Sequence, residues 1–124
     1  MSITKAGRVA GSGRPGIFLA SAHGGLASAC LTAPDKSDDV KGQTEQILRR
    51  IAELLEDVGS GKEHLVMAQV WLLSIQDIDE FSQAWNEWIG TVPAPALSVV
   101  EAPAAGRTSL VEIRVYAVQE STVR

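Results

Sequence analysis

A chain of 124 residues with net charge −4 and one cysteine is long enough for one domain, residues 1–124, around one core. Charged residues make up 21% of it with no basic block, which argues against a nucleic-acid partner held through phosphate contacts. One cysteine excludes an intrachain disulfide, and no Cys/His metal spacing or GxGxxG pattern occurs, so neither a metal nor a cofactor is expected.

Met1 to Arg8 lacks the apolar run of a secretory leader, and no segment approaches the ~20 apolar residues of a membrane span. A cytoplasmic protein with no membrane partner is the expectation. A short strand, Arg8 to Ala10, precedes Gly11-Ser12-Gly13-Arg14-Pro15-Gly16, whose turn formers predict a hairpin connection. Ile17 to Ala22 is an apolar strand ending at His23-Gly24-Gly25. Leu26 to Ser37 has no clean period and contains Pro34, so it is expected to be a loop.

Val40, Thr44, Ile47, Leu48, Ile51, Leu54, Leu55 and Val58 recur at spacings of three and four, predicting one apolar stripe on a helix. Ser37 or Asp38 is its expected cap and Gly59 its stop. Gln43, Gln46, Arg49, Arg50, Glu53 and Glu56 fall mostly outside the stripe, as solvated residues should.

Leu65 to Leu73 is almost continuously apolar, which predicts a strand buried on both faces. Two helices can cover only one of those faces, so a partner subunit is the economical cover for the other. A second helix is predicted from about Asp77 to Ile89, with Ser74 or Asp77 as cap, Gly90 at its end, and Trp85 and Trp88 as core anchors. Strands Ala96 to Ala102 and Ser109 to Val118 close the chain. In the last, Val111, Ile113, Val115 and Ala117 share one face. Glu112 and Arg114 lie on the other, between Leu110 and Val118, which suggests a wet pocket or an interface. The order is β-β-α-β-α-β-β, an α+β fold with both helices on one face of a single mixed sheet.

Several pieces in this order resemble the RidA/YjgF family: Ser21-Ala22-His23, Gln43-Thr44, Gly59, the Trp71 strand, the Trp85/Trp88 helix, Pro93-Ala94 and Val111-Glu112-Ile113. The resemblance runs from about Phe18 onward. It implies the chorismate-mutase-like fold and a homotrimer with intersubunit clefts, in which the sheets pack around a central axis. It also implies a small-molecule ligand, an imine, enamine or carbonyl metabolite. In members that hydrolyse such intermediates, an arginine after Pro-Ala holds the carboxylate and a glutamate of the last strand positions water. Glu112 matches that glutamate, whereas Pro95 stands at the arginine's position with no side-chain donor. Efficient 2-aminoacrylate deamination is therefore not expected.

The candidate catalytic residues are Glu112 and His23, and the candidate ligand contacts are Ser21, Pro95, Arg107 and Arg114. Glu112 either activates water or forms a structural ion pair with Arg114, two residues along on the same face. Arg114 is either a substitute anion anchor or half of an interface salt bridge. Arg107 is an anchor or an exposed loop charge. His23 is an acid/base or a turn histidine, and Ser21 hydrogen-bonds ligand or backbone. Cys30 is read as inert. Two classes of function remain: a hydrolase-like or lyase-like enzyme at the cleft, and a non-catalytic ligand-binding or chaperone-like trimer.

Overall fold

In a computed structural model that describes residues 2–106 and 108–120, six strands form one sheet with two helices on it. The strands are β1 (Thr4–Val9), β2 (Ile17–His23), β3 (Leu26–Thr32), β4 (Leu65–Leu72), β5 (Ala96–Glu101) and β6 (Val111–Val118); the helices are α1 (Val40–Asp57) and α2 (Ile78–Ile89). The sheet order is β1-β2-β3-β6-β4-β5. Only β4 and β5 run parallel, and α2 is the crossover that a parallel pair requires. The α+β layering with a mixed sheet is as the sequence predicts.

The chain contains one strand more than expected. The segment read as a loop from Leu26 is β3, paired with β2 through a two-residue turn at Gly24 and Gly25, both with positive φ, as type I′ hairpins need. Its inward residues include Ala27 and Ala29, whose small side chains give little alternating contrast, so the period of two is hard to see. Position decides instead: β3 sits between β2 and β6. The first strand likewise runs Thr4–Val9 rather than Arg8 to Ala10.

Alanines form much of the sheet surface beneath the helices. Ala20, Ala22, Ala27, Ala29, Ala68 and Ala117 are all buried beneath α1 and α2, where they meet Ile47, Ile51, Leu54, Leu55, Phe81 and Trp85 in one continuous core. Trp85 stacks on Phe81 at 6.0 Å between ring centroids, the core role expected of it.

The helix ends differ in detail from expectation. Asp39, not Ser37 or Asp38, caps α1, its side chain accepting from the Gly42 N–H at 2.9 Å. Asp38 is engaged by Gln46 instead. Gly59, at φ +85°, stops α1 as predicted. At α2, Ser74 caps the single turn Ile75–Asp77 that precedes the helix, and Asp77 makes no side-chain cap bond.

Gln43 corrects the sequence reading most sharply. Read as solvated, it is fully buried. Its Nε2 donates to the carbonyls of Lys36, Asp38 and Thr108, and its Oε1 accepts from the Leu110 N–H at 3.0 Å. A buried amide with every group paired is a specific tie, and this one fixes the backbone immediately before β6.

The strand Leu65 to Leu73 is not covered on both faces by its own chain. Ala68, Val70 and Leu72 are buried against the helices, while Met67 and Leu73 remain 38% and 42% exposed. No helix among the described residues is long and apolar enough to cross a membrane.

Candidate functional site

The uncovered face of the sheet carries Glu112 and Arg114, two of the candidate residues. In antiparallel strands, residues directly opposite each other point to the same side. The registers therefore lay out rows on this face: Ser21, Ser28, Tyr116 and Met67; then Cys30, Arg114 and Gln69; then Thr32, Glu112 and Trp71. An apolar border surrounds them, with Leu26, Leu73, Val100 and Val118 each more than 40% exposed.

Glu112 is half-buried, and Cys30 Sγ donates to its Oε2 at 3.3 Å. The ion pair with Arg114 that the sequence offered as one reading does not form among the described residues. The Arg114 guanidinium lies 5.4 Å from the ring centroid of Trp71 instead, a cation–π distance. Arg114 is exposed and has no acidic partner among the described residues.

Burial first, and then the Glu112 carboxylate, push the Cys30 thiol up to about 11, against the pull of Arg114. At neutral pH the thiol is therefore protonated and donates. It is a poor nucleophile, in line with the inert reading, but it is a specific partner of Glu112. Placing residues 26–37 in a loop concealed that partnership, because only strand pairing with β6 brings Cys30 beside Glu112.

The other predicted residues lie apart within one protomer. His23 shares a row with Leu26 and Val118, six residues and roughly 20 Å along the strand direction from Glu112. It is exposed, and its Nδ1 meets the Ser2 carbonyl at 2.7 Å. Ser21 is half-buried opposite Ser28. Pro95 is half-buried just before β5, roughly 15 Å along the strands from the Glu112 row. Arg107 falls outside the described residues.

A groove of about 640 Å³ runs between α1 and α2, lined by Leu48, Arg49, Glu53, Ala84, Glu87 and Trp88 among others. It is on the helical side and contains none of the predicted residues. The grouping of chemistry on the open face is the better guide to a site. Among the described residues, no three His, Cys, Asp or Glu side chains are placed to hold a metal ion.

Comparison with known proteins gives a consistent picture. The family described as Endoribonuclease L-PSP matches residues 19–119. A RutC family protein of Haemophilus influenzae is 33% identical over 99 residues, covering 78% of this chain and 85% of that protein. A crystal structure of a YjgF family member from Neisseria meningitidis superimposes with a TM-score of 0.84 at 27% identity, covering 98% of both chains. Another YjgF/YER057c/UK114 family member, from Mycobacterium tuberculosis, gives 0.81 at 26% identity, covering 94% of this chain and 99% of that one.

Proposed function

Because this chain belongs to the RidA/YjgF (RutC) family, we propose that it binds a small imine, enamine or carbonyl metabolite on the open sheet face. Three copies complete the site as a homotrimer, each cleft shared between neighbours. Glu112 orients or deprotonates the attacking water, and Arg114 meets the ligand's negative charge in place of an arginine at Pro95. Ser21 is a polar contact on an adjoining part of the face. His23 takes part only across the cleft, from the neighbouring copy, since its own Glu112 is too distant.

The observation that carries this reading is the state of Glu112. It is half-buried on an otherwise uncovered, apolar-bordered face, with a neutral thiol rather than a cation as its partner. A carboxylate that no cation neutralises and that still reaches the open face is available to orient a water or a ligand. The net charge of −4 does not favour RNA as the substrate.

The second reading, a non-catalytic ligand-binding or chaperone-like trimer, is favoured by the exposed apolar border of Leu26, Met67, Val100 and Val118. One assay separates the two. Purified protein is given imines generated in situ, 2-iminopropionate and a carboxylate-free analogue, and ammonia release is followed. The catalytic reading expects turnover that falls about 100-fold or more in Glu112→Gln, with slow hydrolysis of 2-iminopropionate. Ligand binding without turnover in either protein favours the second reading.

A further inference from the structure

Glu112 and Arg114 are two residues apart on one face of β6, carry opposite charge, and still do not pair. Each makes a diagonal contact across the sheet rather than one to the other. Glu112 is opposite Thr32 and Trp71, yet reaches Cys30 on β3; Arg114 is opposite Cys30 and Gln69, stays beside the Cys30 thiol, and also reaches Trp71 on β4. The thiol thus touches both charges, and the Trp71 ring flanks the guanidinium.

We infer that Cys30 and Trp71 are positioning residues that hold Glu112 and Arg114 apart. The purpose follows from what an ion pair would do to the site. A guanidinium on the carboxylate would favour its charged form and weaken it as a base, while occupying the cation that an anionic ligand needs. A thiol is a weak, neutral donor, so it orients one oxygen of Glu112 without that penalty. Among the described residues the other oxygen, Oε1, has no protein donor and is left for water. Cation–π contacts and solvent-exposed ion pairs are of similar modest strength, so the ring of Trp71 is sufficient to decide where Arg114 rests.

The catalytic part of this inference rests on the reading of Glu112 as the base, and the geometric part does not. Cys30 is the only cysteine, so its S–H stretching band in the infrared is assignable. The test compares wild type with Trp71→Leu, Trp71→Phe and Glu112→Ala at equal solution mass. The wild-type band should lie at the frequency of a hydrogen-bonded thiol and move to that of a free thiol in Glu112→Ala. It should move the same way in Trp71→Leu, where the released Arg114 captures Glu112, and stay in place in Trp71→Phe, which keeps an aromatic face. Imine turnover should fall roughly ten-fold in Trp71→Leu, the loss of about one charge-assisted hydrogen bond, and recover in Trp71→Phe. A band that is free in wild type, or that ignores Trp71→Leu, overturns the inference. The predicted band shifts in a protein that hydrolyses no imine would uphold it and sink the hydrolytic reading alone. Should Trp71→Leu fail to fold, Cys30→Ser and Cys30→Ala decide: the hydroxyl should restore turnover that the methyl loses, and equal turnover in both overturns the inference.

Discussion

The two faces of β6 follow different rules although they alternate along one strand. On the helical side, Val111, Ile113, Val115 and Ala117 are at most 1% exposed. Their identities are set by the volume left beneath the helices, which three branched side chains and one alanine fill. On the other side, Glu112, Arg114 and Tyr116 stand within an apolar border, with specific diagonal contacts. Packing within one chain demands none of them. The first face explains why the protein folds, and the second is where the proposed chemistry would act.

That division can be broken at one-residue resolution. Ile113→Ala, next to Glu112 but facing the core, should cost about 2–5 kcal/mol through the cavity it leaves. Glu112→Gln should change stability by no more than about 0.5 kcal/mol. Urea unfolding of the two variants checks both. A Glu112→Gln loss as large as that of Ile113→Ala would mean that the open face is structural after all.

Gln43 links the faces and sharpens the comparison. Gln43→Leu keeps the volume but strands the Leu110 N–H and three carbonyls that the amide now satisfies. An expected cost of about 2–3 kcal/mol follows from unpaired buried groups, measured by the same unfolding curves. Imine turnover per folded molecule should also fall, because the tie sets the backbone that leads into Glu112.

A further expected effect concerns alkaline pH. The folded protein holds the Cys30 proton more tightly than the unfolded chain does, with a pKa near 11 against an ordinary 9.0. The stability this confers is complete below about pH 9 and is lost as pH rises from there towards 11. Allowing for the solvent that reaches the thiol, the loss is about 1–2 kcal/mol. Unfolding curves of wild type and Cys30→Ser across this range should therefore converge. Parallel curves would show that burial and Glu112 do not hold the proton.

The sequence was most legible where one residue type carried a strong period. The α1 stripe, the α2 tryptophans and the inward face of β6 all occupy the places their spacing predicts. It was least legible where small or polar residues did the packing. Ala27 and Ala29 hid β3, and Gln43 lies outside an apolar stripe by type while being inside the core by contact. At the site, Glu112 and Arg114 were visible as charges among apolar residues. The residues that restrain them were not, because the Cys30 and Trp71 diagonals exist only once β3 and β4 flank β6. Family pattern groups His23 and Pro95 with Glu112, and a single protomer keeps them far from it.

The central claim is that the open face is finished by further copies of the same chain. Sedimentation equilibrium at micromolar concentration and neutral pH tests it directly. The account predicts a particle of three times the 13.2 kDa protomer mass. A particle of 13.2 kDa would leave Glu112 on an open surface rather than in a cleft, and would contradict the account.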